Sequence, residues 1–411
     1  MKSIYNNFKG LHKDGAPLDL LATWRKTFDK ASEREVALFE KTYSDQWCTY
    51  NAPQMSLTAE AIVGKYRLRV MATLVGDESP TPLRRSDGFD IWTGEIPRVG
   101  HTFPLKAHEL RKMMEVYENP RIQEKDKVKQ IEKTFRNEMQ NAYLGCKDVM
   151  DFILLTAFSN WGVCQFVPAI NNPGGRAYEV DYQMSETNKL MSAFLWNTAN
   201  TAAGKVNPIL MLSMICSDLR TRGIEPGEIL MSQDLYTWIR MDETTRLLAH
   251  GNDKKAQTVK VSELDALLEE NQIPKITVIT RKMGVEKDGK RKPLQPWNPN
   301  FIAIKPAGVI GEIQPAIEDS ELIEEDNVDY LNAGNGVRIS KWRTGASGNQ
   351  VAAEYTEGAA RIIPLVTEID AIICLQVRGF TEKTVPNDEN GVARSYWTKA
   401  EYDGNAGIPT A

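Results

Sequence analysis

Apolar and polar positions divide the chain into a few strongly patterned stretches. Between Tyr66 and Val70, Tyr66, Leu68 and Val70 alternate with Arg67 and Arg69, a period of two that predicts a strand with one polar face. Turn formers crowd Gly76 to Gly88, and Phe89-Asp90-Ile91-Trp92 opens a returning strand running to about Val99-Gly100. The result is a long hairpin with a charged tip. Such a ribbon is marginal alone in water, so something must cover its faces, either the same subunit or a neighbour. After Asn119-Pro120 the apolar positions Val128, Ile131, Phe135, Met139, Ala142, Cys146, Val149, Ile153 and Ala157 recur every three or four residues. That stripe predicts one amphipathic helix over about 123–161, roughly 55–60 Å long, a spine suited to lying across a sheet.

Further on, Val163 to Val167 and Tyr178 to Tyr182 read as strands around an Asn-Asn-Pro-Gly-Gly turn. Helices are expected over Glu186–Ala199, over Asn207–Arg222 entered through Asn-Pro, over Gln233–His250, and over Val261–Asn271 capped by Ser262. Glu228–Ser232 reads as a short strand, and Ile276–Thr280 and Asn300–Ile304 as paired strands around a polar insert. After Gly311 the chain reads as irregular and acidic until Ala359–Ile363. Thr367–Phe380 reads as a buried strand, and the final stretch, rich in Asn, Asp, Gly and Thr, as a tail.

Composition narrows the classes. The 411 residues are 42% hydrophobic and 26% charged, which excludes a collagen or a largely disordered chain. A formal charge of -5 argues against a protein that wraps nucleic acid by counterion release. The N-terminal residues show no signal-peptide pattern, and the most apolar runs fall short of a membrane span, so a soluble protein is expected. Cys48, Cys146, Cys164, Cys216 and Cys374 form no Cys-x-x-Cys and are expected as buried free thiols, in keeping with a reducing cytoplasm. His12, His101, His108 and His250 are too scattered for a metal cluster, and no cofactor is expected.

Candidate chemistry is sparse. Gly284-Val285-Glu286-Lys287-Asp288-Gly289-Lys290 follows a strand and matches the start of a phosphate-binding loop. Arg291 stands where Ser or Thr should hold magnesium, and Lys292-Pro293 stands where a helix should begin, so a hairpin tip is the better reading. Gly345-Ala346-Ser347-Gly348-Asn349 misplaces the closing glycine of a nucleophile elbow. No acid, base and nucleophile share an address, and no enzymatic activity is expected. Charge is segregated: Arg281, Lys282, Lys287, Lys290, Arg291 and Lys292 make the insert basic. Glu318, Asp319, Glu321, Glu324, Glu325, Asp326 and Asp329 make a nearby segment acidic. These are either two solvated loops or complementary surfaces that steer subunit contacts.

In order, the elements resemble those of tailed-bacteriophage major capsid proteins, the Hong Kong 97-type, lambda-like and gut-phage-like shell family. The residues that carry the resemblance are Pro82 to Asp90, Gly94 to Gly100, Ile229 to Trp238, and Lys305-Pro306-Ala307-Gly308-Val309-Ile310-Gly311. The resemblance implies an α+β capsid fold: an N-terminal arm over 1–58, an extended β-hairpin loop over 59–104, and a peripheral domain over 105–196 and 364–381 that carries the spine helix. It also implies an axial α/β domain over 197–363 and a C-terminal tail over 382–411. It implies a virion shell subunit, made in the host bacterial cytoplasm, that forms homo-pentamers and homo-hexamers around packaged double-stranded DNA without sequence-specific binding. Portal and scaffold partners follow from it, a decoration protein in some relatives, and no membrane. Some relatives cross-link a loop lysine to a neighbour, but no Lys lies between Tyr66 and His101 here. Arg84, Arg85 and Asp87 at the loop tip, and Trp92 on its returning strand, are the expected intersubunit contacts. Two alternatives stand beside this reading: an encapsulin-type compartment shell of the same fold, and an α/β nucleotide-binding enzyme using the Gly284–Lys290 loop.

Overall fold

The computed structural model describes residues 10–13, 16–20, 22, 42–64, 89–252, 257–345, 353–383 and 395–404. A small hairpin, β1 (His12–Lys13) and β2 (Ala16–Pro17), precedes α1 (Tyr43–Trp47) and strands β3 (Cys48–Tyr50), β4 (Thr58–Gly64), β5 (Phe89–Glu95) and β6 (Arg98–Lys106). Helices α2 (Ala107–Glu118) and α3 (Glu124–Phe158) follow, then β7 (Val163–Phe166), β8 (Tyr178–Asp181) and β9 (Lys189–Ser192). Next come α4 (Thr198–Ala202), α5 (Pro208–Thr221), β10 (Glu228–Ser232), α6 (Gln233–Met241), α7 (Glu243–His250), α8 (Val261–Glu270) and β11 (Ile276–Ile279). The chain continues through β12 (Met283–Lys287), β13 (Lys290–Leu294), β14 (Phe301–Lys305), β15 (Gly311–Ala316), α9 (Asp319–Leu322), β16 (Asp329–Asn332) and β17 (Val337–Thr344). It ends with β18 (Ala353–Leu365), β19 (Ile373–Gln376), β20 (Tyr396–Thr398) and α10 (Lys399–Gly404). Two compact units result: Met1–Ala59, Thr93–Asp151 and Glu312–Leu365 form one, and Glu60–Trp92, Phe152–Gly311 and Val366–Ala411 the other.

The first unit is built on a sheet ordered β16-β17-β18-β15-β3, with β6 also paired to β18; the pairs β16–β17, β17–β18, β18–β15 and β18–β6 are antiparallel. The 13-residue β18 organises it. β17 lies along Ala353–Ala360, while β6 takes Ala353–Arg361 and β15 takes Arg361–Leu365. Helix α3 up to Asp151 packs on this sheet. Its stripe Val128, Ile131, Phe135, Met139, Ala142 and Cys146 is buried, and acidic Glu124 and Asp126 sit in its first turn, where the helix dipole favours them. A Cβ on Gly358 would stand 2.1 Å from the Ala142 carbonyl oxygen, and one on Gly145 1.7 Å from the His101 ring. At Gly358 only glycine lets helix and strand backbones meet this closely, and at Gly145 it makes room for the His101 ring.

The second unit holds a mixed sheet ordered β11-β10-β14-β19-β9-β20, with β10–β11 and β9–β19 parallel. One sheet face (Ile229, Met231, Ile302, Ile304, Ile373 and Leu375) packs in a common core with Leu212 and Ile215 of α5, Leu235 and Ile239 of α6, and Leu264 and Leu268 of α8. On the alternate positions, Cys374 Sγ donates to the Phe158 carbonyl at the end of α3, and Phe301 meets Trp161 edge-on at 4.8 Å. Local caps place the helices. Asn207 accepts from Leu210 N ahead of Pro208, and Ser232 accepts from Leu235 N.

Several sequence expectations change for stated reasons. The single helix over Gln233–His250 breaks at Asp242, whose carboxylate accepts from Thr244 N and Thr245 N and so starts α7 afresh. Glu186–Ala199 is a 3-10 turn followed by β9 and the start of α4, because β9 pairs with β19 and β20. Pairing of Ile276–Thr280 with Asn300–Ile304 gives way to β11 and β14 flanking β10. The cap of α8 is Lys260, with Glu263 reaching back to Lys260 N at 2.8 Å, in place of Ser262. The returning hairpin strand is interrupted at Ile96-Pro97 between β5 and β6. Within Thr367–Phe380 only Ile373–Gln376 is strand, and the expected tail supplies β20, which pairs with β9.

The largest change lies after Gly311, where an irregular acidic stretch was expected and β15 to β18 form instead. Arg338, Ser340, Lys341, Glu354 and Thr356 are buried there, which erases the polar–apolar alternation that marks a strand. Domain boundaries follow from the pairing. Segment 312–363 joins the first part of α3 through β15, β17 and β18, whereas 152–196 and 366–381 join the α/β unit through β9 and β19.

Candidate functional site

Buried ionisable groups mark where a catalytic centre would lie, and those around α3 and its sheet are held in structural pairs. Lys341 Nζ donates to Glu138 Oε2 at 2.7 Å and to Thr356 Oγ1 at 2.5 Å, with Glu354 at 3.4 Å, tying α3 to the sheet. Fully buried Glu318 accepts from Arg98 Nε at 2.6 Å and faces Arg361 at 3.7 Å, while Arg361 reaches Asp319 at 2.7 Å. Lys147 pairs with Asp45; burial raises the Asp45 pKa, but the lysine and the Thr42 hydrogen bonds outweigh it and hold the carboxyl below its usual range. Asp151 accepts from Ser44 N at 2.8 Å and Tyr43 N at 3.2 Å, which fixes the start of α1.

The thiols are sequestered. All five cysteines are buried and free, and burial pushes Cys146, Cys164 and Cys374 up to about 12 and Cys216 up to about 11, far from a reactive thiolate. Burial lowers the His101 pKa; its Nε2 lies 3.2 Å from the Ala142 carbonyl oxygen. Among the described residues, no group of three or more His, Cys, Asp or Glu could hold a metal ion. No described helix is long and apolar enough to cross a membrane.

The phosphate-loop look-alike lies on a β-hairpin: Gly284 is on β12 opposite Pro293, Asp288 and Gly289 make the turn, and Lys290 opens β13. The element that follows the turn is a strand, where a phosphate loop would be followed by a helix. The Gly345–Asn349 run lies outside the described residues beyond Gly345.

What the molecule does present is surface. β4 and β5 form a two-stranded ribbon. Ala59, Ala61, Val63 and Trp92 are buried, while the alternate positions Ile62 and Ile91 are 64% and 57% exposed. Arg84, Arg85 and Asp87, together with the expected strand Tyr66–Val75, lie outside the described residues. Trp92 lies on β5. It is only 6% exposed, its indole N–H donates to the Asp181 carbonyl at 2.8 Å, and its ring stacks on Tyr182 at 5.7 Å. Its surface is thus largely covered within the chain, and Ile62 and Ile91 are exposed apolar side chains of the ribbon among the described residues. Their signal was the alternation of Ala59, Ala61 and Val63 with Glu60 and Ile62, muted because the inward residues are small. A second exposed group is Leu322 and Ile323, set among Glu321, Glu324, Glu325 and Asp326.

No protein-family model and no curated protein matches this chain. Among solved structures it is similar to a candidate capsid protein of a prophage of E. coli CFT073, with TM-score 0.48 and 11% identity over 87% of this chain and 99% of that one. It is similar to a phage-related protein from Bordetella bronchiseptica RB50 (TM-score 0.43, 11% identity, 87% of this chain and 96% of that one). A third is the capsid protein of the cyanophage P-SCSP1u (TM-score 0.41, 10% identity, 84% of this chain and 90% of that one).

Proposed function

We propose that this chain is the shell subunit of a tailed-bacteriophage head of the Hong Kong 97-type, assembling into pentamers and hexamers around packaged double-stranded DNA. The observation that carries the reading is the arrangement of the first unit and its ribbon. The 35-residue helix α3 meets a sheet organised by the long strand β18 through a close glycine contact, and β6 of that sheet continues from a two-stranded ribbon with exposed isoleucines. A ribbon of that kind gains its stability from covering surface, and shells of repeated contacts between copies supply it. Buried ion pairs and sequestered thiols suit a load-bearing wall in place of a catalytic cleft.

In this reading the unit with the first part of α3 is the peripheral domain and the α/β unit is the axial domain. Arg84, Arg85 and Asp87 at the tip of the extended loop contact a neighbouring subunit by charge, and portal and scaffold proteins are the partners of assembly. No loop lysine is available for a covalent cross-link between Tyr66 and His101. The test is negative-stain electron microscopy of the purified chain. Closed shells, sheets or tubes with pentameric and hexameric units are expected; a small, discrete oligomer with a ligand-filled cleft would overturn the reading.

A further inference from the structure

The hairpin β12–β13 departs from the second unit's sheet between β11 and β14 and forms a two-stranded sheet of its own. Its tip, Asp288-Gly289, has φ of 53° and 71°, the doubly left-handed turn that matches a right-twisted ribbon. Register sets Met283 opposite Leu294, Val285 opposite Lys292 and Lys287 opposite Lys290. Residues two apart share a face, so this face grades from apolar at its base to cationic at its tip. The Lys287–Lys290 pair puts like charges directly across the ribbon, which destabilises the isolated hairpin. Glu286 offsets Arg291 at 3.1 Å on the opposite face.

The segment Asp319 to Asp326 has the complementary character. Two of its acids are engaged by arginines: Asp319 by Arg361 and Glu324 by Arg338. Glu321, Glu325 and Asp326 are exposed, beside Leu322 at 58% and Ile323 at 78% exposure. An aliphatic pair ringed by carboxylates thus matches an aliphatic-to-cationic strand face in both polarity and charge.

From this complementarity we propose that hairpin β12–β13 of one copy docks on the acidic, aliphatic segment 321–326 of a second copy. The proposal rests on the shell reading for its repetition. Because the two patches differ, each docked pair leaves one hairpin and one segment free, and the contact propagates around a ring or across a sheet. Exposed charge pairs fix register and speed encounter, and they weaken as salt rises. A nucleic-acid surface would use the lysines and leave Leu322 and Ile323 uncovered.

Sedimentation velocity at low and high salt tests it with two charge-reversed proteins, each checked for an unchanged melting profile. One carries Lys287→Glu, Lys290→Glu and Lys292→Glu; the other carries Glu321→Lys, Glu325→Lys and Asp326→Lys. Each alone should self-associate at least about tenfold more weakly than the unaltered chain, a change of roughly 1.4 kcal/mol. An equimolar mixture should recover association, since every hairpin then meets a segment of opposite sign. Failure of either reversal to weaken association, or of the mixture to restore it, overturns the contact. Loss of double-stranded DNA retention with unchanged association assigns the hairpin to nucleic acid instead. Particles that form normally from both reversed proteins keep the shell reading and remove this contact. Charge-dependent association that never closes into particles, even with scaffold present, keeps the contact and removes the shell; an unaltered chain that stays monomeric at low salt removes the contact, and the shell reading is then tested by assembly with scaffold.

Discussion

At Gly358 the helix α3 backbone comes so close that the first atom of any side chain would collide with the Ala142 carbonyl oxygen. Backbone cannot swing aside as a flexible side chain can, so Gly358→Ala is expected to lower stability by about 1–3 kcal/mol, the range for overpacking. The midpoint of denaturant unfolding measures it. Lys341 works through charge. Lys341→Met takes away the buried cation that Glu138 and Glu354 share, and a loss of about 3–5 kcal/mol is expected in the same measurement. Adding Glu138→Gln and Glu354→Gln should recover part of that loss. His101 gives a pH signature. Its folded-state pKa is lowered by burial, so between that value and about 6.5 the unfolded chain binds more protons than the folded one. Stability from the neutral ring is therefore present above pH 6.5 and is lost as pH falls toward the folded-state value. His101→Gln should flatten this part of the stability–pH curve relative to the unaltered chain, leaving the acid loss that Asp45 and Asp319 cause at lower pH.

Among elements, α3 was the most legible. Its stripe placed it over 123–161, and it spans Glu124–Phe158, since one buried face repeated through many turns outweighs local noise. Val149, assigned to that stripe by spacing, is half-buried, and neighbouring Met150 is buried. The strands β15 to β18 were not legible, because Lys341, Glu354 and Arg338 sit inside the sheet and are neutralised by residues brought in by the fold, Glu138 of α3 and Glu324 among them. A periodicity argument has no access to such pairings. The ribbon β4–β5 carries an element-scale prediction. Ile62→Lys with Ile91→Lys should leave the subunit's melting temperature nearly unchanged, since both side chains are exposed. The same pair should reduce the yield of particles in electron microscopy sharply; undiminished assembly would show that the ribbon's outer face is not an interface.

For the whole molecule, the thiols offer a direct check. A thiol reagent should find almost no reactive cysteine in the native protein and all five after denaturation, because every one is buried. The loop-tip contact is tested at the same scale: Arg84→Glu with Arg85→Glu should disrupt particles, and normal shells would remove its support. The sequence by itself determined what local pattern and composition can carry: the long helix, the turn chemistry of the hairpins, the buried cysteines, and the absence of a motif with the context a phosphate loop needs. Tertiary structure alone decided which segments share a sheet. β9 meets β19 and β20 to complete the α/β unit, and β6 meets β18 in the sheet beneath α3, through pairings between residues about two hundred positions apart. It also decided that Trp92 turns inward onto Tyr182, leaving Ile62 and Ile91 outside. Strand pairing and the choice of buried face depend on what arrives from elsewhere in the chain, and no window of neighbouring residues contains that information.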